Sequence, residues 1–288
     1  CDDEGAVSDG AGFLREAGFN VMIGDTVYKR NRYLSGSDSE RARDVNEFFL
    51  NKDIDGIICV RGGYGATRIL NLLDYEAIAQ NPKVFIGYSD ITAIHVAINR
   101  LCNFVTFHGP MLANLSRSMD EYTRNSFIRA ITSPEIPGEI KNPEGCGAIK
   151  VMCGGSAKGA LIGGNLSVIS SSVGSRFEID TAGKILLLED VAEEPYRVDR
   201  MLTQLLLAGK LQSCAGIVLG QWTRCTATHP ERSFLLSEVL EDRLSDLGIP
   251  VLYNLCCGHG RVKATIPLGV EASITDDGRL FIDEPALV

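Results

Sequence analysis

The feature that most constrains this chain is a short apolar run that stops abruptly at a glycine and a serine. Residues 84–86 are Val-Phe-Ile, and residues 87–90, Gly-Tyr-Ser-Asp, follow before an amphipathic segment resumes. This order predicts a strand, a sharp turn and a helix. A serine at such a corner lies at a helix start, where free backbone N–H groups favour negative charge. Ser89 is therefore a candidate nucleophile, and helix capping is the alternative role.

Apolar runs and amphipathic segments alternate through the first third of the chain. We predict a helix over residues 11–17 and a strand over 20–23. A capping box at Ser37 and Glu40 begins the next helix, and the apolar run 55–60 is a buried strand. The alternation indicates an α/β fold with a parallel sheet, in which ligands bind at the carboxyl ends of the strands.

A glycine-rich loop follows the strand over 55–60. Its sequence is Arg61-Gly62-Gly63-Tyr64-Gly65, and apolar residues at helical spacing come next. Glycines let backbone N–H groups approach a ligand closely, but a plain tight turn explains the cluster equally well. The loop has neither the Gly-Lys-Ser/Thr of a Walker loop nor the spacing of a dinucleotide fingerprint.

The sequence pattern changes at two positions, which divide the chain into three predicted regions. Residues 1–113 form the predicted N-terminal α/β domain with the parallel sheet, and residues 114–158 are interrupted by prolines and polar residues, as in a linker or crossover. Residues 159–288 contain several short apolar runs and predict a second, β-rich C-terminal domain.

Composition excludes several kinds of partner. The 288 residues carry a net charge of −9 without a basic run, which argues against nucleic acid or an anionic membrane surface. No apolar run approaches the roughly 20 residues that span a bilayer, and the acidic residues 1–4 do not resemble a signal peptide. Nine scattered cysteines indicate a reducing cytoplasm, with the role of Cys1 left open. A small-molecule or peptide substrate fits this composition.

Three polar residues stand at predicted strand ends. Glu189 ends an apolar strand, and His259 lies between two glycines, which would expose it and leave room for a ligand. His95 and His108 lie in apolar segments and are predicted to be packing or hydrogen-bonding residues. A serine nucleophile needs a base, and the base needs an orienting carboxylate, so Ser89, His259 and Glu189 together make a coherent site.

Alternative chemistries at the cysteines are less consistent with the spacing. Cys256 and Cys257 with His259, or Cys225 with His229, lack the ligand spacing of zinc sites, so we expect no metal. Cys257 could serve as a nucleophile paired with His259, but two residues of extended chain hold them roughly 7 Å apart.

Five stretches form a set: RGGYGA at 61–66, GYSDIT at 87–92, GGNL at 163–166, LEDV at 188–191 with EPYRVDR at 194–200, and GHG at 258–260. In order and spacing they resemble the LD-carboxypeptidase family, the serine peptidase group that includes the microcin C immunity peptidases. The likeness covers nearly the whole chain. It departs at the start, where the family's usual opening strand has no counterpart, and a missing strand would expose a sheet edge.

The resemblance implies a triad of Ser89 as nucleophile, His259 as base and Glu189 as orienter. It further implies hydrolysis of an L,D amide, releasing terminal D-alanine from a murein tetrapeptide during cell-wall recycling, without metal or cofactor. Similar proteins are often homodimers, so we expect a dimer. The alternatives are cleavage of peptidyl-nucleotides, or a non-catalytic binding protein with a two-domain cleft.

The resemblance also suggests which groups surround the reacting bond. We expect the backbone N–H of Asp90, with that of Gly62 or Gly63, to hold the oxyanion. The expected substrate contacts are Arg61, Tyr64 and Asn165.

Overall fold

The computed structural model describes residues 4–287. Cys1 lies outside this range. The helices within it are α1 (Glu4–Glu16), α2 (Asp38–Leu50), α3 (Ala66–Ile69), α4 (Tyr75–Ala79), α5 (Thr92–Leu101), α6 (Glu121–Thr132), α7 (Leu166–Ser172), α8 (Pro195–Leu207) and α9 (Leu236–Leu244). No helix in this part of the chain combines the length and apolarity needed to span a bilayer.

The strands form two sheets. They are β1 (Gly56–Ile58), β2 (Val84–Gly87), β3 (Thr106–His108), β4 (Gly138–Ile140), β5 (Lys150–Cys153), β6 (Ala157–Asn165), β7 (Ile185–Val191), β8 (Gly216–Thr223), β9 (Val251–Tyr253), β10 (Ile266–Leu268), β11 (Val270–Ile274) and β12 (Leu280–Ile282).

The first sheet has the strand order β1-β2-β3-β10. Its first three strands are parallel, whereas β10 comes from late in the chain and runs antiparallel to β3. Both faces are covered, because Phe85 on β2 packs among residues of α2 to α5 while Ile86 faces α1 and α6. Burial on both sides explains why the strand is apolar without alternation.

The second sheet has the order β4-β12-β11-β6-β7-β8-β9-β5. Its centre, from β6 to β9, is parallel, and antiparallel strands extend it at both edges. Alternate residues of β7 face opposite sides: Leu186 and Leu188 pack under α7 to α9, whereas Ile185 and Leu187 pack inside the curl of the sheet. The predicted mixed α/β class is confirmed.

The helix predicted over residues 11–17 starts earlier than expected, at Glu4, whereas the start of α2 is as predicted. Both hydrogen bonds of the predicted capping box at Ser37 and Glu40 are present at the start of α2. The strand predicted over residues 20–23 was wrong, because this segment joins neither sheet. Val21 and Ile23 pack instead against the apolar cluster beside α1 and α6, which explains their hydrophobicity without a strand.

The segment predicted as a linker or crossover has structure of its own. Residues 114–158 contain α6, and their two strands, β4 and β5, form the opposite edges of the second sheet. Prolines 134, 137 and 143 fall between these elements, where the missing N–H costs no ladder bond. The region after residue 159 also contributes helices α7 to α9 between its strands.

Candidate active site

The turn after β2 holds Ser89 in an unusual conformation. Its φ is +63°, and residues Ser89–Ile91 form a single 3-10 turn that leads into α5. The predicted strand, sharp turn and helix are therefore confirmed. The left-handed region costs an L-residue about 1–2 kcal/mol, and such strain is typically kept where a side chain must be aimed. The N-cap positions are Tyr88 and Ile91, and no capping bond from the Ser89 hydroxyl occurs among residues 4–287. Ser89 thus does not cap the helix.

The glycine loop lies directly against this serine. A Cβ atom added at Gly62 would lie 2.8 Å from Ser89 Cβ and 3.4 Å from the backbone nitrogen of Asp90. Only glycine allows this approach. Gly63 has a φ of +103° and open space around its Cα, so the loop turns away from the serine immediately afterwards.

The Asp90 carboxylate ties the glycine loop to the serine turn. Its Oδ2 atom accepts the backbone N–H of Ala66 at 2.7 Å, at the start of α3. Arg41 donates to the carbonyl of Gly65 at 3.0 Å, which holds the other side of the loop end. Burial raises the pKa of the Asp90 carboxyl, while the bond from Ala66 opposes this change. The loop and the turn consequently form one unit.

Glu189 and His259 form a close buried pair. The Nδ1 atom of His259 lies 2.6 Å from Glu189 Oε2, and the two side chains are 14% and 0% exposed. Burial raises the pKa of the Glu189 carboxyl, and the bond to His259 acts in the opposite direction. The carboxylate fixes one face of the imidazole, so the Nε2 atom points away from it.

The glycines around His259 serve a different purpose from the predicted one. Gly258 has a φ of +99°, and a Cβ there would lie 2.4 Å from Glu189 Oε2. A Cβ at Gly260 would lie 2.0 Å from the Gln221 side chain. These glycines make room for the protein's own side chains rather than for a ligand.

Tyr88 joins the histidine to the serine turn. Its ring packs edge-on against the His259 ring, with centroids 4.9 Å apart, and it immediately precedes Ser89 in the chain. The serine therefore comes from the first sheet, and the glutamate and histidine come from the second. All three residues lie where the two sheets meet.

The expected substrate contacts differ in their surroundings. Arg61 is exposed, and Tyr64 is exposed beside Tyr33 with ring centroids 6.0 Å apart. Asn165 is buried at the start of α7, where its amide donates to Asp190 at 2.9 Å and accepts from Val168 and Ser167. Both of its amide atoms are used within the protein, which argues against the expected substrate contact and favours a positioning role.

The other titratable candidates are buried. His95 donates from Nε2 to the Gly87 carbonyl at 2.9 Å, and burial lowers its pKa to about 4. His108 is equally buried, which confirms the prediction of packing residues. Cys257 is fully buried and burial raises its pKa well above the ordinary value, so a thiolate at this position is disfavoured.

Sequence reasoning missed two features of the site. Asp90 was expected to contribute only its backbone N–H. Its carboxylate also anchors the glycine loop. Lys263 was not singled out, although its ammonium lies over the Tyr88 ring, 4.5 Å from the centroid. No periodicity or motif marks a buried lysine, since only the tertiary fold shows what surrounds it.

Comparison with known proteins identifies the family of this chain. Residues 1–109 match the LD-carboxypeptidase N-terminal domain, and residues 158–274 match the LD-carboxypeptidase C-terminal domain. The chain belongs to the LD-carboxypeptidase family and is a peptidase by this membership.

Relatives with assigned activities share most of the chain. It is 38% identical over 264 residues to the probable murein peptide carboxypeptidase of Bacillus subtilis, covering 91% of this chain and 82% of that protein. It is 31% identical to the microcin C7 self-immunity protein MccF of Escherichia coli, covering 94% and 85%.

Solved structures give the same result. The wild-type MccF structure matches with a TM-score of 0.89 at 29% identity, covering 98% of this chain and 92% of that one. Muramoyltetrapeptide carboxypeptidase from Oxalobacter formigenes matches with a TM-score of 0.84 at 31% identity, covering 98% and 96%.

The strained serine predicts an unusual order of stabilities. Ser89→Gly should be more stable than Ser89→Ala by about 1 kcal/mol, because glycine adopts positive φ without steric cost. At Ser171, which lies in α7, the order should reverse by about 1 kcal/mol, since alanine favours helix. Urea unfolding of the four variants measures both differences. Equal stability of the two Ser89 variants would show that the turn is unstrained.

The absence of a side chain at Gly258, which leaves space for the Glu189 carboxylate, should be essential for activity. Gly258→Ala should lower kcat/KM by about 10²- to 10⁴-fold, because the new methyl group displaces the Glu189 carboxylate. Gly248→Ala is the matched control, with a φ of +70° and no atom within 4 Å of the added Cβ. It also places an alanine at positive φ but creates no clash, so its activity should be retained. Similar activity in both variants would contradict the steric role.

Proposed function

We propose that this protein is a serine-type LD-carboxypeptidase with Ser89 as nucleophile, His259 as general base and Glu189 as the residue that orients the base. The observation that carries the proposal is the buried Glu189–His259 pair beside a serine in the left-handed region. A serine hydroxyl is a weak nucleophile until a base removes its proton, and the base is effective when a carboxylate fixes its tautomer.

The proposed reaction follows from this geometry. His259 Nε2 takes the proton of Ser89 as Oγ attacks the carbonyl carbon of the scissile amide. The imidazole then protonates the leaving amine, and a water molecule hydrolyses the acyl-enzyme by the same route. Glu189 stabilises the imidazolium, which is a strong interaction because the carboxylate is shielded from solvent.

Backbone N–H groups are proposed to bind the oxyanion. The nitrogen of Asp90 and the backbone at Gly62 lie close together beside Ser89, and Gly63 follows directly in the chain as the alternative donor. Donors held rigidly at the position of developing charge contribute about 2.7–4 kcal/mol each to such transition states. The Asp90 carboxylate would preserve this geometry through its bond to Ala66.

The proposed substrate is a murein tetrapeptide, from which the enzyme releases terminal D-alanine. The names of the relatives support this choice, since three of them refer to murein peptide or muramoyltetrapeptide carboxypeptidases. We also propose that the protein acts in the cytoplasm, in cell-wall recycling, as a homodimer. The proposed chemistry requires no metal or cofactor.

A second candidate substrate is a peptidyl-nucleotide. The similarity to MccF along 98% of this chain favours it, because MccF structures include complexes with aspartyl sulfamoyl adenosine and glutamyl sulfamoyl guanosine. The same triad could hydrolyse the amide of either substrate. Assaying both substrates side by side distinguishes them.

Removing the nucleophile is the direct test. Ser89→Ala should abolish release of D-alanine from the tetrapeptide, because no other group in the site can form the acyl-enzyme, and a chelator should leave the wild-type rate unchanged. Mass spectrometry of the peptide before and after incubation measures the loss of one alanine. Full activity in Ser89→Ala would exclude the proposed nucleophile.

Glu189→Gln tests the orienting carboxylate separately. It should lower kcat by about 10³- to 10⁴-fold, as in other triads, since the amide cannot stabilise an imidazolium. Thermal unfolding confirms that the variant is folded. An unchanged rate would assign the orienting role to another residue, and a folded wild type without turnover of either substrate would favour a binding protein.

A further inference from the structure

A cavity of about 350 Å³ lies next to His259, on the side of the Tyr88 ring. Its wall includes Asn114, Asp120, His259, Arg261 and Lys263. The triad chemistry described above uses none of these residues except the histidine. Because the cavity borders the imidazole that must reach the scissile amide, a substrate bound at the triad can extend into it.

Lys263 is the distinctive group of this cavity. The residue is 6% exposed, and its ammonium lies 3.4 Å from the Tyr88 hydroxyl. Within residues 4–287 it forms no ion pair with a carboxylate. An ammonium group has three donors, so the single long bond to Tyr88 leaves donor capacity for another partner. A buried cation without a counterion is costly, and buried charges in proteins are usually paired.

The nearby acids are already engaged elsewhere. Glu189 pairs with His259, and Asp120 accepts the backbone N–H of Thr123 at 2.8 Å as the N-cap of α6. Burial lowers the pKa of Lys263, and the more distant charges of Glu189 and Asp120 only oppose that change. Arg261, at the exposed side of the cavity, adds a second positive charge. The cavity therefore favours an anionic group.

We propose that this cavity is a substrate subsite in which Lys263, assisted by Arg261, binds a carboxylate next to the scissile bond. This inference rests on the proposed function, because it assumes a peptide placed at Ser89 and His259. A carboxylate over the ammonium would supply the missing counterion, and a charge-assisted bond of this kind contributes strongly when water is excluded.

The proposed substrate offers two carboxylates at the required position. One is the terminal carboxylate of the leaving D-alanine, whose amine must lie against His259. The other is the side-chain carboxylate of the preceding residue, when that residue is diaminopimelate rather than lysine. Both would make the same bond to Lys263, so substrates lacking one or the other distinguish them.

Binding to the Ser89→Ala variant tests the subsite without turnover. Three tetrapeptides would be compared by calorimetry: one with diaminopimelate and a free D-alanine carboxylate, one with lysine in place of diaminopimelate, and one ending in D-alaninamide. Removing the carboxylate that enters the cavity should raise Kd by about 10- to 100-fold, the usual effect of a lost charge-assisted bond. Replacing the carboxylate that lies outside the cavity should have a much smaller effect. The comparison therefore shows which of the two carboxylates Lys263 binds.

A second substitution assigns this preference to Lys263. In Ser89→Ala combined with Lys263→Met, binding of the full peptide should weaken by the same factor, and the preference for the carboxylate should disappear. Lys263→Arg should restore it. Lys158→Met, at the exposed end of β6 remote from Asn165, is the matched control and should change nothing. If Lys263→Met does not fold, Lys263→Gln replaces it, because its amide can still bond to Tyr88.

Two results would overturn the inference. One is equal affinity for all three peptides. The other is a carboxylate preference that persists without the charge of Lys263. Either result leaves the proposed function intact if wild type still releases D-alanine. Conversely, a wild type that binds peptides through Lys263 but releases no D-alanine would contradict the proposed reaction and support the proposed subsite.

Discussion

The bond between Glu189 and His259 is the interaction on which the rest of the site depends. A carboxylate with no exposed surface needs a hydrogen-bond donor, and the imidazole Nδ1 at 2.6 Å provides one. The close approach requires Gly258 at positive φ, because any Cβ there would overlap the carboxylate. Backbone, burial and charge thus all determine the position of one imidazole.

Ser89 follows a strand of the first sheet, and His259 pairs with Glu189 on a strand of the second, so the proposed site lies at the boundary between the two sheets. The return of β10 from the second half of the chain into the first sheet ties the halves together beside β3. Across the boundary, Tyr88 packs on His259 while Lys263 lies over the same ring. The Tyr88 ring therefore contacts both a buried cation and the proposed general base.

Three glycines of the site share one structural role, which is to allow a close approach by another residue. Gly62, Gly258 and Gly260 each stand where a Cβ would meet another residue of the site within 3 Å. Glycine clusters are weak evidence of ligand binding because tight turns also use them, and here they permit contacts within the protein. Their functional value is indirect, since these contacts set the positions of Ser89 and Glu189.

The sequence by itself determined the α/β class, the capping box of α2, the turn at Ser89 and, through the set of five motifs, the family. These features depend on local periodicity, on turn chemistry and on residue order, which a sequence displays directly. The tertiary structure decided that residues 20–23 form no strand, that Asn165 is buried, that the Asp90 carboxylate anchors the glycine loop, and that Lys263 lies beside His259. Each of these depends on contacts between residues distant in the chain, and no local pattern encodes them.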